Sequence, residues 1–392
     1  MARGLLDGVT VLSLEQATTL PFLTYRLACD GARVIRVENA KRPDPNRFVG
    51  RDVLGEPAMQ SYFLPNNCGK EAITLNLGHP EGQALLQQLI VTLRVDVFAS
   101  NQRARSYARL GIEFERLQAV KADLIWLGIT GFGPAHDEAA YDPVLQARAG
   151  FMELTGDTDG FPMVFGLPMV DLGAAEHGYG EVVKALYRRA TTGAGARIDV
   201  SMLQSAVSWM VAPVALSASL GERVTRKGNR HQFFAPVDVH RTRDGHVFLA
   251  VGSDQQWSAL AALPRFARVD RPEYAANAGR IADVERLGRE LAACFAELGT
   301  DEALESLRRA GIPVSRVSTL ADIVADPLVA DRLVEVVDPR SGLRLTLPMP
   351  PVGDPPVLRF PPRLGEHNEK IYGEALGLGP ERLAELRRRQ IV

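Results

Sequence analysis

The chain is 392 residues long, 46% hydrophobic and 23% charged, with a formal net charge of −2. That length exceeds one ordinary hydrophobic core and implies two domains, while the near-neutral balance offers no basic surface to hold a nucleic acid. Cys29, Cys68 and Cys294 are far apart with no CxxC, and the histidines form no HxxxH pair. The sequence therefore predicts no disulfide framework and no metal site, and fits a reducing cytoplasm.

The opening "MARGLLDGVTVLSLEQ" lacks the apolar core and cleavage site of a signal peptide. The apolar run "MVAPVALSASL" (Met210–Leu220) falls short of the roughly 18 residues that cross a bilayer, so no membrane partner is expected. From Val9 the chain alternates. "VTVLSLE" reads as a buried strand, "PFLTYRLACDG" as a helix, "RVIRVEN" as a strand and "PEGQALLQQLIVTL" as a helix. "VDVFASN" follows as a strand, "FERLQAV" as a short helix and "LIWLGITGFG" as another strand. Strands alternating with helices imply an α/β fold with a Rossmann-like, doubly wound, largely parallel sheet. The pattern then changes. "VDVHRTRDGHVFLAVGS" predicts two strands around an "RDG" turn, and "QQWSALAAL", "VERLGRELAACFAEL" and "DEALESLRRAG" predict helices. The boundaries expected are a large domain over 1–205, a linker over 206–227 and a small α+β domain over 228–320. Residues 321–392 form a return segment, in which "PMPPVGDPPVLRFPPRLG" is extended and "PERLAELRRRQ" is a solvated helix that packs on the large domain.

The usual phosphate-binding motifs are missing. "EQATTLP", not GxGxxG, follows the first strand; "TTGAGAR" lies between a helix and a strand, as a plain turn does; there is no GxxxxGK[ST] and no GxSxG. Several charged residues remain open to two readings. Lys70 in "NNCGKEAITLNL" meets a phosphate or is a solvated surface lysine, and Arg103 and Arg105 in "SNQRARSYARLG" hold an anion or open a solvated helix. Asp142 in "AAYDPVLQARAG" reads locally as a helix N-cap ahead of Pro143. Asp171 in "FGLPMVDLGAAEHGYG" follows an apolar run, where an unpaired charge costs several kcal/mol. It either caps the helix near Leu172 or is an acid that the chemistry needs. Glu176 and His177 on that helix read as structural.

Taken in order, these stretches resemble the class III CoA-transferase family, which includes formyl-CoA and carnitine CoA-transferases and the α-methylacyl-CoA racemases. The likeness runs through "LLDGVTVLSLEQATTLPFLTYRLACDGARVIRVEN", "NNCGKEAITLNL", "YDPVLQARAGFMELTG", "RATTGAGARIDVSML", "DGHVFLAVGSDQQW" and "RLGEHNEKIYGEALGL". It departs from the family at Ala72, Asn76 and Ala175, where serine, aspartate and glycine are usual, and at Asn39, where arginine often follows the glutamate. The resemblance implies that Asp171 is a nucleophile that forms an anhydride and then an aspartyl-CoA thioester. It implies that Gln16, with Ala17 beside it, orients the acyl or aspartyl carbonyl, including through main-chain N–H groups, and that Tyr141 lines the site. CoA contacts would fall near Glu38 and Asn39, near Leu75, and on Lys70, Asn101 and Arg103, with Lys41 or Arg42 standing in at the 3′-phosphate. Gly252, in "GSDQQW", would belong to a loop over the site.

The racemase branch uses a histidine in "GHDxNY"; this chain has Tyr141 there and Pro143 after the aspartate. Tyrosine, with a pKa near 10, is a weak base at pH 7, which favours transferase over racemase. A non-catalytic subunit of a heteromeric transferase is a third reading, against which Asp171 is retained. The opening most resembles the branch that handles C4–C5 dicarboxylates or substituted succinates, whose second carboxylate needs a cation. Arg47, Arg51 and Arg103 are the candidates. The resemblance also implies an interlocked homodimer, and no cofactor beyond CoA as substrate.

Overall fold

Residues 4–392 are described by the computed structural model, and they fall into two units. The first comprises the described residues up to Ala149, with Phe165–Leu220 and Ala330–Val392; the second comprises Gly150–Val164 and Gly221–Val329.

The first unit begins with β1 (Thr10–Leu14), α1 (Thr19–Cys29), β2 (Arg33–Glu38), β3 (Glu71–Thr74), α2 (Pro80–Thr92) and β4 (Val97–Ser100). It continues with α3 (Phe114–Val120), β5 (Ile125–Thr130), α4 (Asp142–Arg148), α5 (Met169–Thr192), β6 (Ala196–Ser201), α6 (Met202–Ser208) and α7 (Val211–Leu220). Six strands pair in the order β3-β2-β1-β4-β5-β6, all parallel. Helices cover both faces, which is why Val11, Leu12, Val34, Ile35, Val97 and Phe98 are all buried and the central strands read as apolar runs. This is the doubly wound sheet the alternation predicts. Its order reverses between β1 and β4, and ligands bind at such a switch point beyond the carboxyl ends of the strands. Gln16 follows β1 there, and Asn101 follows β4. Helix α1 packs on α5. The close approach depends on Gly178, where a Cβ would lie 2.6 Å from Leu23 Cδ1.

In the second unit, β7 (Val237–Arg241) and β8 (His246–Ala250) form the predicted hairpin. Beyond α8 (Asp254–Ala261), α9 (Val284–Ala296) and α10 (Thr300–Arg309), β9 (Val314–Arg316) adds an antiparallel third strand that the sequence did not announce. Trp257, Phe266, Leu287, Phe295 and Leu307 fill the core of this unit. Residues 150–164 group here rather than with the large domain, because Arg226 N donates to Glu153 O (2.8 Å) and Gly228 N to Gly156 O (2.8 Å).

The return segment re-enters the first unit as an antiparallel hairpin, β10 (Leu333–Val337) and β11 (Arg344–Pro348). An extended stretch follows, pinned where Gly69 N donates to Arg359 O (2.8 Å). The C-terminal helix α11 (Pro380–Arg388), read as solvated, buries Leu383 and Leu386 in the same core as Leu86, Phe98 and Trp126. Among the described residues no single helix is long and apolar enough to cross a membrane; α6 and α7, apolar enough together, are bent by 74°.

Candidate functional site

Helix α5 starts at Met169, so Asp171 lies inside its first turn and is not the cap. The capping is done from another helix. Asp142 Oδ2 accepts from Val170 N (2.7 Å) and Asp171 N (3.0 Å), which satisfies two of the orphan donors at that helix start. Asp142 was expected to cap its own helix. Instead Tyr141 takes that N-cap position without a side-chain bond, and Asp142 Oδ1 accepts from Gln146 Nε2 at 2.5 Å.

The Asp171 carboxylate has one neutral donor, Thr19 Oγ1, 2.5 Å from Oδ1. Its Oδ2 has no partner among the described residues, and no cation pairs with either oxygen. Burial lifts the carboxyl from 3.8 to about 6; the charge of Asp142 pushes the same way and the Thr19 hydroxyl opposes. A carboxylate so weakly compensated is a better nucleophile than one locked in an ion pair.

Thr19 opens α1 just beyond Gln16 and Ala17, whose main chain is held at four points. Asn101 accepts from Gln16 N (3.1 Å) and donates to Gln16 O (2.7 Å). Asp44 Oδ1 accepts from Ala17 N (3.0 Å), and Asn46 Nδ2 donates to Ala17 O (2.8 Å). Ala17 has φ 61°, a left-handed conformation unusual for a residue with a Cβ. The expectation that these main-chain N–H groups polarise a carbonyl is corrected, because both are taken. The Gln16 carboxamide is half-buried and has no partner among the described residues.

Beneath this turn lies a buried charged cluster. Lys70 is 1% exposed, and its ammonium donates to Glu15 (2.8 Å), Pro21 O (2.8 Å) and Asn67 (3.1 Å). All three hydrogens are used, so neither a CoA phosphate contact nor a solvated surface lysine describes it. Arg47 is also fully buried, paired with Glu38 (2.7 Å) and donating to the carbonyls of Ala58 and Pro362. It has no group left for a substrate carboxylate. Arg36 joins the two pairs through Glu15 (3.7 Å) and Glu38 (3.0 Å), and it also pairs with Asp44 (3.0 Å). Burial pushes Glu15 and Glu38 up, but the adjacent cations win, and Glu38 falls to about 2.

Asn39 holds the adjacent turn, accepting from Lys41 N (2.9 Å) and Arg42 N (3.2 Å). Leu75 turns its side chain into the core, which leaves only its main chain for the CoA contact expected there. Tyr141 is 74% exposed. Arg51 and Arg103 are exposed, and neither guanidinium has a partner among the described residues. Gly252 lies on the second unit, where its N–H donates to Gln256 Oε1 (2.8 Å) at the start of α8. His177 is structural, as read: Ser205 (2.6 Å) and Trp209 (3.0 Å) occupy its two ring nitrogens. Among the described residues no group of three or more His, Cys, Asp or Glu is placed to hold a metal. Sequence reasoning missed Thr19, Asp44 and Asn46. Only the position of Thr19 at a helix start after β1 could have drawn notice.

Residues 6–368 match the family described as CoA-transferase family III. The succinyl-CoA:glutarate CoA-transferase of Homo sapiens is 28% identical over 394 residues, covering 97% of this chain and 88% of that protein. The succinyl-CoA:mesaconate CoA-transferase of Haloarcula hispanica is 32% identical over 402 residues, covering 97% and 99%. A solved CAIB/BAIF family protein from Brucella suis superimposes with a TM-score of 0.85 at 28% identity, over 95% of this chain and 100% of that one.

Proposed function

The chain belongs to CoA-transferase family III, and from that premise we propose that it moves CoA from succinyl-CoA, or a similar thioester, to a C4–C5 or substituted dicarboxylate. The names of the human and archaeal relatives support that substrate class. The observation that carries the chemistry is Asp171: a carboxylate in a helix first turn, with no cation beside it and one oxygen unbonded among the described residues, and its pKa raised to about 6.

In this reading Asp171 Oδ2 attacks the thioester carbonyl carbon. The C–S bond breaks and CoA leaves as thiolate, giving a mixed anhydride. The thiolate then attacks Cγ of Asp171, the donor acid departs as carboxylate, and an aspartyl-CoA thioester remains. The acceptor carboxylate runs the same steps in reverse and regenerates Asp171. Asp142 holds the first turn of α5 in place and keeps the nucleophile basic, while Thr19 fixes the oxygen that does not attack. The Gln16 carboxamide donates to the carbonyl as charge develops on it. Arg51 and Arg103, whose guanidiniums have no partner among the described residues, are the cations assigned to the second carboxylate. CoA is the only cofactor-like molecule this chemistry uses, and it is substrate.

We read the assembly as an interlocked homodimer. Trp209, Val211 and Leu220, 45%, 75% and 68% exposed on and beside α6 and α7, supply apolar surface for a second chain. Three buried free thiols suit the cytoplasm. The test of function is an assay of CoA transfer from succinyl-CoA to glutarate, mesaconate, itaconate and malate, and to acetate and butyrate as monocarboxylates, read by chromatography of the acyl-CoA products. Transfer to at least one diacid is expected. Transfer only to monocarboxylates overturns the dicarboxylate reading.

A further inference from the structure

The Gln16–Ala17 turn is unusual in where its hydrogen bonds go. Turns normally satisfy themselves through their own main chain or water. Here all four main-chain polar groups of two consecutive residues are taken by side chains distant in sequence. Asn101 comes from the end of β4, and Asp44 and Asn46 from the loop after β2. The loop itself is anchored. Asp44 is 3% exposed, pairs with Arg36 (3.0 Å), and its own N–H donates to Glu38 Oε1 (3.1 Å). Arg36 and Lys70 both reach Glu15, the residue just before the turn. The outcome is a non-glycine residue, Ala17, held in a conformation that costs about 1–2 kcal/mol, at the switch point of the sheet.

We propose that Asn101, Asp44 and Asn46 are positioning residues: they clamp the main chain of Gln16 and Ala17 so that the free Gln16 carboxamide, and not a main-chain N–H, is the donor presented to the carbonyl that Asp171 attacks. This rests on the transferase reading for its kinetic consequence, but the clamp itself does not. Asn101 thereby acts on the reaction through Gln16, in place of the CoA contact expected of it. The buried charges become the footing of the clamp, which explains why three cations and three carboxylates are sealed under a turn that bears none of them.

The test uses Asn101→Ala, Asp44→Ala and Asp44→Asn in the full chain, with two readouts. The first is amide hydrogen exchange of the peptide spanning residues 14–20. Exchange there speeds up in both alanine variants, while peptides from 237–309 keep wild-type rates. Asp44→Asn restores slow exchange, because its amide oxygen still accepts from Ala17. The second readout is kinetic: kcat falls about 100-fold in the alanine variants, the cost of an ångström-scale misplacement, with KM for the acyl-CoA unchanged and kcat largely recovered in Asp44→Asn. Unchanged exchange overturns the clamp whether or not the protein transfers CoA. Faster exchange with wild-type kcat overturns its catalytic role, and a rise in KM with kcat intact returns Asn101 to CoA binding. A wild-type protein that transfers no CoA fails the function alone, with exchange still deciding the clamp. If Asp44→Ala does not fold, Asn101→Ala decides.

Discussion

Two buried carboxylates of the first unit and one half-buried carboxylate titrate in opposite directions. Glu15 and Glu38 sit among Lys70, Arg36 and Arg47, and both titrate below their ordinary values, Glu38 at about 2. Asp171 has Thr19 and a second carboxylate for neighbours and rises to about 6. Burial acts the same way on all of them; what differs is whether a cation is adjacent. The compensated pair gives structure, and the uncompensated Asp171 keeps an oxygen without a partner among the described residues, at a standing cost to stability.

The sharpest way to break this contrast is to remove a carboxylate from each side. Asp171→Asn is expected to abolish transfer while raising stability at pH 7. Lifting the carboxyl from 3.8 to about 6 costs the folded state about 3 kcal/mol once it is ionised. The sign follows from linkage: the folded state binds the proton more tightly, so the penalty is absent below pH 4, grows as pH rises and is complete above 6. The variant's gain in Tm should therefore vanish in acid. In the charged cluster, Arg47→Met leaves Glu38 short of a partner and should lose about 3–5 kcal/mol by urea unfolding. The KM of the folded fraction for the acceptor should not move, since Arg47 is sealed in the core with its guanidinium paired internally.

The pH profile sharpens the same point. In the proposed mechanism only the ionised Asp171 attacks, so kcat/KM should fall as pH drops through about 6. Thr19→Val removes the donor that lowers this pKa and should move the acid limb up by roughly one pH unit, the scale of a hydrogen bond to a charged group. Asp142→Asn removes a like charge and should move it down. The smallest effect belongs to the surface. Arg51→Met or Arg103→Met should raise the diacid KM by up to about 5-fold, with little change for a monoacid, as loss of one exposed ion-paired contact would do.

Much of the frame was legible. Apolar runs such as "VTVLSLE" and "LIWLGITGFG" carry the largely buried parallel strands β1 and β5, and that pattern needs nothing beyond the local sequence. The hairpin of β10 and β11 was not, because prolines follow it closely and its partner surface is Tyr25, Met59 and Phe63, far away in the chain. At the site, order along the sequence singled out Asp171 and Gln16 as candidates. It did not reveal that Asp142 caps the helix of Asp171, 29 residues on, or that Asn101 holds Gln16 across 85 residues. Lys70 misled for the same reason: polar neighbours in sequence suggested solvent, while Glu15 and Asn67 wait inside the fold. Local pattern encodes which face is buried; the partners of a charge are set by tertiary contact.

The most direct measurement is mass spectrometry of the protein incubated with succinyl-CoA alone and quenched with hydroxylamine. Hydroxylamine attacks the aspartyl-CoA thioester, releases CoA and leaves a hydroxamate. A hydroxamate on Asp171, missing from Asp171→Asn, is the expected result. An unmodified Asp171 in protein that turns substrate over would contradict the aspartyl route.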